Sequence, residues 1–364
     1  MQKKVFLVLV LIAIVVAIYF LSATKQTPSS VDVVEVVSPS TGMDLKKKQK
    51  MFPLAKEITT PDAFINIDEI TIDEHIGKNI ILIDFWTYSC INCIRTLPFL
   101  NAWHEKYADQ GLVIIGVHTP EFEFEKNISN VSAAVKKHGI EYPVVLDNDF
   151  STWTAYRNRY WPRKYLIDID GFVVYDHVGE GGYDVTEAKI QELLEERAQR
   201  LGLTIAFDAS MVDPEAEVSK ARTPEIYFGS ARNDALGNGK PSKEGLQTFT
   251  EPGEVKPKTL YLVGEWDISE EFAQSKTKNA KIIIYYESQN VFVVASCEKS
   301  NTVSFRIDGN PPGSLAGSDA SDGVVNIQAD GLYRFIEDPS GRGKHLLEIT
   351  IPEPGLKVFT FTFG

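Results

Sequence analysis

The stretch DFWTYSCINCIRTLP, residues 84–98, decides the fold of this chain. It overlaps the apolar run NIILIDF at 79–85, which is typical of a buried central strand. Beyond it, apolar side chains recur at helical spacing, at Ile94, Leu97, Leu100 and Trp103. The pattern predicts that Cys90 and Cys93 lie where a buried strand turns into a helix.

Further elements follow this stretch along the chain. The sequence predicts strands at 112–117, 164–169 and 172–177, and helices at 131–138 and from Asp184 or Thr186 to Arg200. The resulting order is strand, helix, strand, helix, strand, strand, helix. It predicts an α/β domain over 62–203, with a mixed sheet that carries helices on both faces.

The two cysteines have the spacing of a redox-active pair. Residues three apart on a first helical turn have Cα atoms ~5–6 Å apart, which suits a disulfide. Cys90 would lie at the helix N-terminus, where unpaired N–H groups and the helix dipole stabilise a thiolate. We therefore expect Cys90 to have a lowered pKa and to be the nucleophile, and Cys93, one turn deeper, to resolve the mixed disulfide.

Two other interpretations of the pair are a half zinc site and an inert disulfide. Zinc needs two more ligands, and the sequence has neither a second cysteine pair nor a close histidine pair. A disulfide across four residues closes too small a loop to stabilise much. The redox interpretation is favoured. No metal or cofactor is expected, and Cys297 is expected to be a lone thiol.

Two residues outside the pair are candidate supporting groups. Asp84, in the buried strand, is expected to have a raised pKa and to accept the proton of Cys93; the alternative is an acid that only forms hydrogen bonds. Pro162, after Trp161, cannot donate to a ladder, and a cis bond there would present backbone to an extended substrate; the alternative is an ordinary edge proline.

The aromatic residues nearby belong to a rim around the site or to the core: Trp153, Tyr156, Tyr160 and Trp161. His118 and Glu121 are interpreted as a solvated loop pair, with tuning of the site as the alternative.

These motifs resemble the thioredoxin superfamily. Asp84-Phe85-Trp86 precedes Cys90 at the superfamily's spacing, Pro98 falls where its active-site helix is kinked, and Trp161-Pro162 falls at its cis-proline. Over about 60–364 the chain is similar to DipZ-type thiol:disulfide interchange proteins, also called cytochrome c biogenesis proteins. The similar stretches are DFWTYSCINCIRTLP, IIGVHTPE, YRNRYWPRKYLID, VGEGGYDVTE, TPEIYFG and KVFTFTFG. Those proteins often begin with a multi-span electron-conducting domain, whereas this chain has a single apolar run, and Ile-Asn separates its cysteines where thioredoxin has Gly-Pro.

The C-terminal part, 222–364, is predicted to be all strand. β-rich runs at 281–286, 290–296, 302–307, 331–336, 345–351 and 356–363 are separated by turn signals, which is typical of a sandwich. The resemblance implies a jelly roll similar to carbohydrate-binding modules, and hence a possible cell-wall glycan partner. Four aromatic side chains are either stacking platforms or, as we favour, core: Tyr227, Tyr261, Trp266 and Tyr333.

The N-terminus predicts the compartment. An apolar run over 5–23 follows Lys3 and Lys4 and is long enough, at roughly 28 Å, to span a membrane. We expect a single transmembrane anchor at 1–23, with a cleaved signal peptide as the alternative. Residues 24–61 and 204–221 are expected to be linkers, and the folded domains to lie on the outer face of the cytoplasmic membrane.

The sequence favours one function over two others. The formal charge of −13 argues against a nucleic-acid binder. We expect a membrane-tethered thiol-disulfide oxidoreductase that reduces protein disulfides and draws electrons from a membrane protein with paired cysteines. The alternatives are a peroxide reductase of the peroxiredoxin type and a surface glycan-binding protein. The first is suggested by Thr87, three residues before Cys90 as in the peroxidatic motif of peroxiredoxins, although Ile83 stands where that motif has proline.

Overall fold

The computed structural model describes residues 45–204, 208–217 and 221–364. The anchor expected at 1–23 lies outside these residues. In the part of the chain that is described, no helix combines the length and the apolar character needed to cross a membrane.

A mixed sheet forms the first half of the described chain. Its strands are β1 (Ala63–Ile65), β2 (Ile80–Trp86), β3 (Leu112–His118), β4 (Val144–Leu146), β5 (Arg163–Ile167) and β6 (Val173–Val178). They lie in the order β1-β4-β3-β2-β5-β6. β3 is parallel to both β2 and β4, and the other pairs are antiparallel. The predicted mixed sheet is confirmed, and the apolar run at 79–85 is its buried central strand.

The helices of this half are unevenly distributed over the sheet. They are α1 (Leu45–Met51), α2 (Ile91–Tyr107), α3 (Ile128–Lys137), α4 (Ser151–Ala155) and α5 (Tyr183–Leu201). The face of β2 that carries Leu82 and Trp86 shares a core with α2, α3 and α5. The other face, with Ile83 and Phe85, is covered by extended chain and by residues in and after the short α4. The expectation of helices on both faces is therefore wrong for the three long helices, because extended chain supplies the apolar side chains that cover the second face.

Parts of both expected linkers are packed against the domain. Within 24–61, α1 buries Lys48, whose Nζ lies 2.7 Å from Asp168 and 2.9 Å from Asp170. Within 204–221, the backbone N–H of Val212 donates to Glu187 at 2.9 Å. These described residues are not free tethers, because ion pairs and hydrogen bonds hold them to the folded domain.

The second half is β-rich, as predicted. Its strands are β7 (Ile226–Tyr227), β8 (Gly245–Phe249), β9 (Leu260–Ile268), β10 (Ala273–Ser275), β11 (Ala280–Ser288), β12 (Asn290–Ser296), β13 (Asn301–Ile307), β14 (Ala320–Ser321), β15 (Val324–Ile327), β16 (Gly331–Glu337), β17 (Gly343–Ile351) and β18 (Lys357–Phe363). β9 joins two sheets: residues 260–263 pair with β11, and residues 264–268 pair with β8 and β10. The change of partner falls at Gly264, whose φ of +96° favours glycine. One apolar core packs between the two sheets.

Of the aromatic residues suggested as platforms, Trp266 belongs to that core and Tyr333 packs against it. Trp266 and Tyr261 are buried. Tyr333 is half-buried, and its hydroxyl donates to the carbonyl of Ala329 at 2.6 Å. Tyr227 lies elsewhere and lines a cavity that also contains Cys90. The interpretation as buried side chains is confirmed for Trp266 and Tyr261: Trp266 packs between the two sheets, whereas Tyr261 is buried on the face of β9 opposite to Leu260 and Leu262.

Candidate active site

Cys90 occupies the junction between β2 and α2. It is the N-cap residue of α2, with φ −80° and ψ 110°, and its Sγ accepts the backbone N–H of Cys93 at 3.3 Å. Cys90 is half-buried, Cys93 is only 1% exposed, and both are free thiols. The structure thus brings the two cysteines together with the accessibilities expected of an attacking and a resolving thiol.

The predicted lowering of the Cys90 pKa is wrong. Hydrogen bonding with the Cys93 thiol lowers the pKa, but removal from water and the carboxylates of Glu225 and Glu121 outweigh it, so the pKa of Cys90 is raised. The helix terminus is the contribution that the local sequence reveals, whereas the two acids come from distant parts of the chain. Burial raises the pKa of Cys93 further, well above its ordinary value. Cys90 therefore remains the more readily ionised thiol of the pair.

Asp84 lies beneath the cysteine helix, as strand alternation requires. Its side chain points to the same face of β2 as Leu82 and Trp86, which share a core with Cys93. Asp84 is 1% exposed, and burial raises its pKa to about 7. Its Oδ1 has no hydrogen-bond partner among the described residues. A carboxyl group in this state is suited to take up a proton near neutral pH.

Lys164 is a site residue that the sequence argument missed. It is the register partner of Asp84 in the β2–β5 pairing and is fully buried. Burial lowers its pKa, while the charges of Asp84 and Cys93 raise it in part. Alternation along β5 places Lys164 on the same face as Pro162, but only the register of β5 on β2 brings it to Asp84.

Trp161 lines the cavity that contains Cys90, and Pro162 follows it directly before β5. The peptide bond between them is cis. The indole Nε1 of Trp161 donates to the carbonyl of Thr119 at 2.9 Å, and its ring packs against Trp153 with centroids 4.2 Å apart. Trp161 and the exposed Tyr160 line the same cavity as Cys90, whereas Tyr156 is buried in the core.

The residues after β3 form a second layer around the site. His118 is fully buried, and burial lowers its pKa to about 3, so the expectation of a solvated pair is wrong for His118. Glu125, not singled out from sequence, is also fully buried and accepts the hydroxyl of Ser89 at 2.6 Å. Its other oxygen accepts the backbone N–H groups of Glu121 and Phe122 at 2.6 and 3.0 Å. Glu125 thus ties the residue before Cys90 to the loop that carries Glu121.

A cavity of 240 Å³ opens beside Cys90, and both halves of the chain line it. The α/β half contributes Glu121, Tyr160 and Trp161, and the β-rich half contributes Tyr227 and Arg232 among others. Arg232 lies 2.7 Å from Glu121 in an ion pair. This part of the site was missed because nothing local in the sequence links residues more than 100 positions apart.

Cys297 lies apart from the pair. Its thiol is half-buried, and Sγ donates to the carbonyl of Ile327 at 3.2 Å. Burial raises its pKa. Its place in the sandwich, with a hydrogen bond of its own, agrees with the expected lone thiol.

Comparison with known proteins identifies the family. Residues 54–176 match the AhpC/TSA family, and residues 223–364 match a thioredoxin-like C-terminal domain family. The thiol-disulfide oxidoreductase YkuV of Bacillus subtilis is 31% identical over 140 residues, which cover 38% of this chain and 93% of that protein. The chain belongs to the thiol-disulfide oxidoreductases.

A longer match extends through both halves of the oxidoreductase. Protein DipZ of Mycobacterium tuberculosis is 37% identical over 288 residues, which cover 79% of this chain and 39% of DipZ. The oxidoreductase thus spans about two fifths of that relative, and the resemblance to DipZ-type proteins is confirmed. A solved thioredoxin-like protein in its oxidised form is 29% identical, with a TM-score of 0.38, over 40% of this chain and 98% of that protein.

Proposed function

We propose that this chain reduces protein disulfides by dithiol exchange at Cys90 and Cys93. The observation that carries the proposal is the placement of the pair: Cys90 caps α2 at a cavity, and Cys93 lies buried one turn further on the face of Asp84. An accessible thiol followed by a shielded one is the arrangement that thiol–disulfide exchange through a mixed disulfide requires.

The exchange has two balanced steps. The Cys90 thiolate attacks one sulfur of the substrate disulfide, whose S–S bond breaks, so that a mixed disulfide forms and one substrate thiolate leaves. Cys93 then loses its proton and attacks the Sγ of Cys90, and the second substrate thiolate leaves. The substrate gains two electrons and, after protonation, two protons, while Cys90 and Cys93 become a disulfide.

Asp84 is proposed to receive the proton of Cys93. The pKa of Cys93 lies well above its ordinary value, so the thiolate must be formed during the attack. The Asp84 carboxyl, with a pKa of about 7, is the acceptor on the same face, and the nearby charge of Lys164 favours its ionised form. Trp161, which lines the cavity with Cys90, and Pro162, which follows it in the chain, are proposed to contact the substrate.

The compartment and the partners are also proposals. The apolar run at 5–23 supports a membrane tether with the folded domains on the outer face, and a partner with paired membrane cysteines would then re-reduce Cys90 and Cys93. The β-rich half is proposed to be a jelly roll that positions the enzyme, with a cell-wall glycan as its candidate ligand. The test is the redox state of the pair in intact cells: a pair kept reduced supports a donor, and a pair that is always oxidised contradicts one.

The decisive experiment traps the intermediate. Cys93→Ser should accumulate a mixed disulfide through Cys90, because the resolving thiol is absent. Cys297→Ser is the matched control and should turn over like the native enzyme. Trapping that requires Cys297, or turnover that survives Cys90→Ser, would contradict the assignment.

Peroxide reduction is a second candidate, supported by the AhpC/TSA match over 54–176. In that case the Cys90 thiolate would attack a peroxide oxygen, the O–O bond would break with release of water, and the Cys93 thiol would then displace a second water from the sulfenic acid to form the Cys90–Cys93 disulfide. The two candidates separate in one assay of the reduced protein, with hydrogen peroxide and a disulfide peptide offered in turn. Faster oxidation by the peroxide would favour the second candidate.

A further inference from the structure

The β-rich half supplies one side of the cavity that contains Cys90. Six of its residues line the cavity: Glu225, Tyr227, Arg232, Val294, Thr360 and Thr362. They come from β7, β12, β18 and the loops next to β7. Since the described residues belong to one compact unit, this wall is part of the enzyme as folded.

An apolar contact holds the wall in place. Phe122 and Phe359 are buried together between the two halves, with ring centroids 4.9 Å apart, and Phe124 packs on Phe359 at the same distance. The backbone N–H of Glu123 also donates to Glu271 across the boundary, at 3.1 Å. Buried aromatic pairs of this kind resist separation of the two surfaces that carry them.

Polar contacts fix the wall at the cavity itself. Arg232 pairs with Glu121 at 2.7 Å and stacks on the ring of Tyr227, 3.7 Å from its centroid. The Tyr227 hydroxyl lies 2.7 Å from Glu225 and 3.1 Å from Glu121. The side chains nearest the cysteine loop are therefore held by several partners each, which keeps the cavity narrow.

We propose that the β-rich half forms one wall of the substrate site and restricts reduction to disulfides carried on narrow, extended peptide chains. This inference rests on the proposed function. Ligand pockets for whole drug-sized molecules measure about 300–1,000 Å³, and a standard protein–protein contact covers about 800 Å² on each partner. A cavity of 240 Å³ admits a cysteine side chain and its neighbours, not the face of a folded domain.

The test offers three disulfides in turn to the whole chain. They are a disulfide-linked dimer of a ten-residue linear peptide, native pancreatic ribonuclease, and hydroxyethyl disulfide. Each rate is divided by the rate of dithiothreitol on the same compound, which removes differences in intrinsic reducibility. We expect the normalised rate for the peptide to exceed that for the folded protein about 100-fold, that is, by two factors of ten in rate.

Variants of the wall sharpen the test. Tyr227→Ala and Arg232→Ala should each lower that preference about tenfold, as the loss of one wall contact would. Arg306→Ala, on β13 of the other sheet, removes the same charge and should leave the preference unchanged. Arg232 is 41% exposed, so its variant serves even if Tyr227→Ala fails to fold.

Three outcomes overturn the inference. The first is equal normalised rates for the peptide and the folded protein, and the second is wall variants that keep the preference of the native enzyme. The third is an enzyme that reduces hydroxyethyl disulfide but not the peptide dimer, which would assign the site to small disulfides. Loss of all three activities in Cys90→Ser is required in every case. If the native enzyme reduces none of the three compounds, the proposed function itself fails.

Discussion

Replacing Asp84 with Asn should stabilise the protein strongly at alkaline pH. Burial raises the pKa of Asp84 from 3.8 to about 7, a difference that corresponds to ~4 kcal/mol. Because the folded-state pKa is raised, the folded protein binds more protons than the unfolded chain between pH ~4 and ~7, and its stability falls as the pH rises through that window. Asn does not titrate, so the gain should be ~4 kcal/mol at pH 8 and below ~1 kcal/mol at pH 4.

The attraction of Lys164 is already contained in that figure, because its charge lowers the pKa of Asp84. Urea unfolding followed by tryptophan fluorescence is the assay. The fluorescence reports mainly on the α/β domain that contains Asp84, where four of the five tryptophans lie: Trp86, Trp103, Trp153 and Trp161.

Asp109→Asn is the matched control, since it makes the same change at an exposed position and should alter stability by less than ~0.5 kcal/mol. The Asp84 variant should also resolve its mixed disulfide ~100-fold more slowly, as loss of a general base predicts. A gain that is equal at pH 4 and pH 8 would refute the reasoning, because only an ionising group gives the expected pH dependence.

Three further predictions concern the loop around Cys90. The rate of alkylation of Cys90 by iodoacetamide should rise with pH around a midpoint above that of a free cysteine, since its pKa is raised, and below the midpoint of Cys93. A midpoint below pH 8 for Cys90 would mean that the stabilising effect of the helix terminus outweighs the acids. The reduction potential of the pair, measured against glutathione, should lie nearer to that of the reductant thioredoxin, about −270 mV, than to that of the oxidant DsbA, about −120 mV. Ser89→Ala should lower the free energy of unfolding by ~1 kcal/mol, because it removes the 2.6 Å hydrogen bond to Glu125 and leaves only the backbone N–H of residue 89, at 3.3 Å, as donor to that oxygen. A loss below ~0.5 kcal/mol in urea unfolding would contradict this.

The fold and the cysteine pair could be predicted because their signals are local. The apolar run before Cys90 and the helical spacing after Cys93 each lie within one element, so period and composition define them. The same holds for the β-rich runs of the second half. Asp84 also follows from local geometry, since alternation along one strand determines which face it shares.

The rest of the site depends on contacts between distant residues. Lys164 reaches Asp84 only through the register of two antiparallel strands, and Arg232 reaches Glu121 only because two domains pack on each other. Neither register nor docking has a periodic signature in a single sequence. The linkers were misjudged for the same reason: the lysine-rich α1 looks like a solvated segment until the acids around Lys48 are known.

The acids around Cys90 bear on the direction of electron flow. A cysteine whose thiolate is stabilised makes its reduced form favourable, and strongly oxidising enzymes have such low-pKa cysteines. Glu121 and Glu225 act in the opposite sense here, because they raise the pKa of Cys90 and so destabilise its thiolate. A pair with a destabilised thiolate gives up its electrons more readily. The raised pKa of Cys90 therefore supports the proposed direction of electron flow, which is the reduction of substrate disulfides. The β-rich half takes part in this effect, because it contributes Glu225 and holds Glu121 in an ion pair with Arg232.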